Sequence, residues 1–541
     1  MKVKDLHLSP STKLVQDYIE QRQEMNTFFD YMPYKQDSYS LRYQELMSRS
    51  FARKELVECL KDFQETFTYH EKSLRQLEKL LDPTSVAIVG GQQPGLFTGP
   101  MYTIYKAITV IQLAKEQEEK LQVPVVPVFW IAGEDHDLDE VNHLYFPIEE
   151  KMKKLVYQSN PNHRVPLSQV YFSEEELNQW FAMLGEHLPE TKHTRKLVAK
   201  LKELVAVGDS YVHFFGELLS WLFKDEGLIL LDAHDPNIRE LEKDLFATII
   251  EKNESIHHAF SQQQKKLVEV GYQAAVETTD LHANLFLLEE NERVRLERDN
   301  NSLDLFHADD LTMTKEQLLK LVQEEPFKLS NNVVTRPVMQ DYILPVLAFV
   351  GGPGEIAYWA TLKGVFSQFQ FKMPPVVPRL SATIIDRQTE KRMKALGLSI
   401  EELFNGTFID QKKAWIKKQS ELKLAEHFEE AIAEVKAIHE RFDLLAKQIS
   451  VTAVNLREKN YSIIEDQLKW LLSRFEKEEQ SKYRHELHKF DKISNIVRPF
   501  DKPQERIFNV IYYLNEYGCD FITRLIELDF KVDEQHKCIF V

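Results

Sequence analysis

Five apolar runs punctuate an otherwise mixed chain, and most are followed by a helical period. The first, Ser85 to Val89, is built of β-branched and small apolar residues, the pattern of a buried strand. It runs into Gly90, Gly91, Gly95 and Gly99, then Pro100 and a helical pattern to about Lys120. Proline suits the first helical turn, where its missing N–H would have had no partner. VPVVPVFWIAG, Val123 to Gly133, is a second strand with its prolines at the beginning. Strand, helix, strand in this order predicts a βαβ unit, hence a parallel sheet with a right-handed crossover. GLILLDAHD (Gly227 to Asp235) adds a third strand, followed by a helical pattern to about Val270. YILPVLAFVGGPGEIAYWATL (Tyr342 to Leu362) repeats strand, glycine turn, helix, and Phe371 to Ile385 supplies a last strand.

Other stretches frame this core. Residues 1–82 read as a helical segment packing on it, with Phe51, Leu56, Leu60, Phe63 and Phe67 on one face. Residues 145–225 are mixed and polar, with helical stretches, and form an insertion. Residues 285–301 (LFLLEENERVRLERDNN) alternate about Glu289–Glu292, which predicts a β-hairpin. The core is thus expected over 83–385. Residues 386–500 are charged, nearly free of glycine and proline, and helical. Phe428, Ile432, Val435, His439, Phe442, Ala446 and Ile449 form one heptad seam, and Ile464, Leu468, Leu471 and Phe475 a second. In residues 501–541, Pro503 opens a final helix, Gln504 to Leu528, that docks on the core. The fold class is α/β, a Rossmann-like parallel sheet with inserted connecting segments and an α-helical coiled-coil domain.

Composition narrows the function. A net charge of −17 over 541 residues excludes nucleic-acid binding by the whole surface, which needs clustered Lys and Arg. No apolar window is long enough for a membrane span, and the N-terminus lacks a secretory apolar region. Cys59, Cys519 and Cys538 lack metal or redox spacing and suit reduced thiols, so the expected compartment is the cytoplasm. His257-His258 reads as a surface pair.

Chemistry concentrates after the strands. Gly91, Gln92, Gln93, Gly95, Thr98 and Gly99, with Lys106 further along the helix, are the cofactor-binding candidates. Glycines let a backbone approach an anion, and a helix N-terminus attracts one. The spacing matches neither standard phosphate motif, so a glycine turn needed only for packing stays open. Glu134, Asp135, His136 and Asp137 end the second strand, where open parallel sheets bind ligands. Such a cluster needs a cation, a proton or a substrate amine to neutralise it. These four are the catalytic candidates, with His136 the natural proton carrier. Consecutive residues point to alternate sides and no helix-borne ligand pair is present, so no metal site is expected. Tyr102, Asp232, His234, Arg336, Gln340, Gly352 and Glu355 are the substrate-binding candidates. Arg336 suits a bidentate grip on a carboxylate or phosphate, or else a structural ion pair.

GGQQPGLFTGPMYTIYKA, FWIAGEDHD, RPVMQDYILP and GGPGEIAYW together resemble the BshC family, the cysteine-adding enzymes of bacillithiol biosynthesis, over nearly the whole chain. The resemblance implies a nucleotidyltransferase-like Rossmann core and a coiled coil that forms a homodimer. It also implies a ligase joining cysteine's carboxylate to the amine of glucosaminyl-malate. Activating a carboxylate calls for ATP and Mg²⁺, although no Lys-rich pyrophosphate loop is evident. Two other readings are a metal-dependent hydrolase or transferase using the acidic-histidine clusters, and a non-catalytic nucleotide- or metabolite-binding assembly protein.

Overall fold

In the computed structural model, five parallel strands lie side by side: β1 (Val86–Gln92), β2 (Val125–Ile131), β3 (Ile229–Asp232), β4 (Val346–Gly351) and β5 (Val376–Pro378). Their order is β5-β4-β1-β2-β3. Residues 1–8, 12–148, 151–157, 164–419, 422–528 and 530–541 are described. Contacts divide them into two units, Met1–Ile384 with Pro503–Phe540, and Ile385–Lys502 with Val541. The sheet forms the core of the first unit because its strands are apolar on both faces, as helix-covered parallel sheets require. Helix α1 (Met101–Leu121) crosses from β1 to β2 and is buried along most of its length.

Register aligns the carboxyl ends. Gln92 pairs with Ile131, Ile131 with Asp232, and Gly90 with Val350. The chain leaves β3 and returns on the far side of β1, so the topological switch lies between β1 and β4, where such sheets bind ligands.

Several expectations are corrected. Gly90 and Gly91 belong to β1 rather than to a loop. A Cβ on Gly91 would lie 2.6 Å from the Trp130 carbonyl oxygen, so glycine there serves close strand approach. Tyr342 closes helix α3 (Arg336–Ile343) instead of opening a strand, since Pro337 starts a helical turn. Phe371–Ile385 yields two strands, β5 and Ala382–Ile385. The second belongs to a separate sheet whose central strand, His536–Phe540, also pairs with Lys2–Leu6. The segment 1–82 therefore begins with a strand before its helices. The segment 145–225, of which 149–150 and 158–163 lie outside the described residues, opens with a hairpin, His143–Ile148 against Lys151–Val156. Alternating burial in its first strand explains this, and three helices follow. Gln504–Leu528 is not one helix. A 3₁₀ turn, Gln504–Arg506, precedes helices Val510–Tyr517 and Phe521–Ile526, which are separated by Gly518 at φ 99°. His257 is buried, not on the surface.

The hairpin His282–Glu289 and Glu292–Arg298 lies within a five-stranded antiparallel sheet. In the second unit, helix Leu424–Glu440 packs antiparallel on Val451–Lys482, with Phe428 and Phe475 rings 5.7 Å apart and His439 Nε2 3.0 Å from Asn460 Oδ1. The helix that carries the first heptad seam ends at Glu440, and of the seam residues beyond it only Ala446 is buried. Phe442 caps a separate short helix, and both it and Ile449 are exposed. Among the described residues, no helix is long and apolar enough to cross a membrane.

Gly91→Ala is expected to destabilise the first unit by about 1–3 kcal/mol through overpacking. A urea unfolding curve coincident with the parent's would contradict this.

Candidate active site

Two adjoining cavities open at the carboxyl edge of the parallel sheet. The smaller, about 330 Å³, covers the switch point and is lined by Gly91, Gln92, Lys106, Gly352, Glu355 and Arg379, among others. The larger, about 710 Å³, lies between the Glu134–Asp137 loop and the antiparallel sheet, which contributes His282, Phe286 and Arg293. Gln93, Asp135, Val333 and Arg336 line both.

The wall between them rests on a buried ion-pair chain. Glu134 is wholly buried and accepts from Arg239, on α2 (Pro236–Glu251), and from Arg336 Nε at 2.8 Å. Arg239 also pairs with Glu242, and Arg336 Nη2 donates to Asp135 Oδ1 at 2.6 Å. Arg293 lies 3.5 Å from Asp135, donates to the Asn331 carbonyl at 2.7 Å and covers the Phe286 ring at 3.8 Å. Burial pushes the Glu134 carboxyl up, but Arg239, Arg336 and Arg293 outweigh it and hold it at about 2. Burial lowers the Arg336 pKa, but Asp135 and Glu134 outweigh it and keep the guanidinium charged.

The four catalytic candidates therefore differ in kind. Glu134 is enclosed and lines neither cavity, and Asp135 is committed to arginines. His136 lines the larger cavity with Nδ1 3.3 Å from Arg293 Nη1. A guanidinium only donates, so Nδ1 accepts and the neutral ring carries its proton on Nε2. Burial, then Arg293, holds His136 below its ordinary 6.5. Asp137 lines the same cavity, is exposed, and has His136 Nε2 as its ion-pair neighbour at 3.9 Å. It is the loosely held carboxylate of the four. Among the described residues no group of His, Cys, Asp and Glu is placed to hold a metal ion.

Of the cofactor-binding candidates, Gly91, Gln92, Gln93 and Lys106 reach the smaller cavity. Lys106 is buried and donates to Glu355 Oε2 at 2.6 Å, the Gly91 carbonyl at 2.5 Å and Gln92 Oε1 at 3.1 Å. Gly95 and Gly99 line a third cavity of about 100 Å³, whereas Thr98 is buried and lines none of the three. The C-terminal segment bonds to the loop and to the helix that follows it. The first N–H of α1 donates to the Phe508 carbonyl at 2.8 Å, and Asn509 Nδ2 donates to the Leu96, Phe97 and Gly99 carbonyls. The second glycine turn is capped too: Gly352 N–H donates to Glu355 Oε2 at 2.8 Å. The first N–H of α1 and the Gly352 N–H are thus already taken within the chain.

Of the substrate-binding candidates, Tyr102, Arg336, Gln340, Gly352 and Glu355 line the smaller cavity. Asp232 and His234 line neither large cavity. Asp232 packs on Gly133, its Oδ1 accepts the His234 N–H at 3.0 Å, and burial pushes its carboxyl up to about 7. Burial lowers His234 to about 4. The sequence pattern does not single out Arg239, Arg293, Arg379 or Arg506. Only Arg379 carries a signal, as a polar residue directly after an apolar strand. It donates to Glu505 Oε1 at 2.6 Å.

Comparison with known proteins fits this architecture. Residues 1–380 match the sequence model of the bacillithiol biosynthesis BshC N-terminal Rossmann-like domain, and residues 382–541 that of the BshC C-terminal coiled-coil domain. The chain belongs to the BshC family. It is 42% identical over 529 residues, 98% of each chain, to a protein of Halalkalibacterium halodurans named "Putative cysteine ligase BshC". Proteins of the same name from Geobacillus sp. strain WCH70 and Bacillus velezensis are 39% and 37% identical over the full length of both chains. The BshC Rossmann-like domain thus contains both cavities apart from residues of the 503–540 segment.

Glu134→Gln is expected to destabilise the first unit by about 3–5 kcal/mol, because it leaves buried guanidinium charge uncompensated. A carboxyl lowered from 4.5 to about 2 stabilises fully above pH 4.5 and loses that contribution as pH falls toward 2. The stability gap between parent and variant should therefore shrink on acidification, and a pH-independent gap would contradict the assignment.

Proposed function

We propose that the chain is a cysteine ligase of bacillithiol biosynthesis, forming the amide between cysteine's carboxylate and the amine of glucosaminyl-malate. The observation that carries this reading is the pair of cavities meeting at Gln93, Asp135 and Arg336. Joining two polar molecules calls for two compartments with a common wall, so that the reacting groups meet in a fixed geometry. The relatives' name as cysteine ligases supports the choice of cysteine.

In this reading Arg336, stiffened by Glu134 and Asp135, orients a carboxylate at the wall. Asp137 takes the proton that the amine loses, with the His136 ring as its neighbour. Glu134 is a positioning residue. ATP with Mg²⁺ is the pair we propose for activating the carboxylate. Product formation from cysteine, glucosaminyl-malate, ATP and Mg²⁺, followed by mass spectrometry with each component omitted in turn, tests the reaction. No thiol product from folded protein would reject it. Asp137→Asn is expected to lower kcat by at least about 100-fold, in the range of lost acid–base catalysis, without shifting the unfolding curve. Unchanged kcat would remove Asp137 from the chemistry.

We further propose that the helical unit pairs two copies of the chain. Its hairpin exposes Phe442, Leu445, Leu456 and Trp470, each more than half exposed. Light scattering at micromolar concentration should give twice the monomer mass, and a monomer would refute this.

A further inference from the structure

The cations around the smaller cavity are not equivalent. Lys106 is matched by Glu355, Arg336 by Glu134 and Asp135, and Arg379 by Glu505. Each is buried or nearly so, and each is neutralised where it stands. Arg506 is the exception. It is exposed, lines both the smaller cavity and the third cavity beside the glycine loop, and forms no ion pair or side-chain hydrogen bond among the described residues. Glu140, which also lines the third cavity, forms no ion pair with it.

Its neighbours are fixed on both sides. Gln504 bonds the Ile384 backbone twice, at 2.7 and 2.8 Å, in the manner of a strand partner. Glu505 accepts from Arg379 at 2.6 Å and from Ala382 N–H at 3.0 Å. Asn509 holds three carbonyls of the glycine loop, the nearest at 2.6 Å. A rigid backbone thus presents one long, uncommitted guanidinium at the mouth of a crevice whose other charges are already balanced. An entering anion finds its partner there, since displacing Glu355 or Glu505 would expose a buried cation.

We propose that Arg506 is the residue that captures an anionic group, carboxylate or phosphate, of the molecule entering the smaller cavity. Only the identity of that molecule rests on the ligase reading. Arg506 acts in binding, so its loss should raise KM and leave kcat nearly unchanged.

The test uses the full chain and two probes, L-malate as a dicarboxylate and ATP as a polyphosphate, titrated by calorimetry. Arg506→Ala should weaken binding of at least one probe about 10- to 100-fold, the effect of one charge-assisted contact. Arg506→Lys should recover part of it, and Lys531→Ala, an equal charge change at another exposed site, should weaken neither probe. Loss confined to L-malate identifies a carboxylate, and loss confined to ATP a phosphate. Equal affinities in parent and Arg506→Ala, or no binding of either probe by the parent, would overturn the proposal. The outcomes separate from those of the ligase reading. Turnover with unaltered KM in Arg506→Ala would sink this inference alone. Arg506-dependent binding without turnover would keep it and sink the ligase.

Discussion

A carboxylate with no access to water, held between two guanidinium groups, governs the carboxyl edge of the sheet. Glu134 follows β2 by three residues, Arg239 comes from the helix after β3, and Arg336 from the helix before β4. Two connections of the parallel sheet, β2 to β3 and β3 to β4, are thus tied at one point. Burying such charges is unfavourable unless geometry and hydrogen bonding are nearly complete, so the elements carrying them tolerate little displacement. Arg336 can be stiff at the wall of two cavities because its counter-charge is deep and dry. Paired internal charge thus supports the polar crevice from behind.

Much of the architecture was legible in the sequence because strand burial and strand-end glycines are local signals. The five apolar runs, the parallel order implied by βαβ, and the charged glycine-poor helical region all read directly. Local pattern stops short where long-range pairing decides. The strand Lys2–Leu6 is charged and ambiguous alone, and forms because His536–Phe540 comes alongside. The seam through Phe442 continued on paper, yet the chain breaks there into a second short helix.

The site was legible in location more than in role. Asp135, His136, Asp137, Arg336 and Glu355 do gather at the cavities, as the rule about strand carboxyl ends anticipates. Their partners were hidden. Nothing near Glu134 in sequence announces Arg239, which lies 105 residues away. Nor does the glycine loop announce that Asn509 occupies its carbonyls. There too the Phe508 carbonyl, from a distant segment, takes the first N–H of α1. Asp232 and His234 obey the same strand-end rule and yet turn inward, because Gly133 leaves room for the Asp232 side chain there.

The tie between the glycine loop and Asn509 spans 410 to 413 residues. A ribosome makes the loop long before its clasp, and the whole coiled-coil unit emerges in between. Until residues 504–509 arrive, the loop carbonyls lack Asn509, and Arg379 lacks the carboxylate of Glu505. The helical unit is complete in sequence while the crevice still lacks these residues. Completion of the crevice is therefore a late event in synthesis, set by the order in which the chain is delivered.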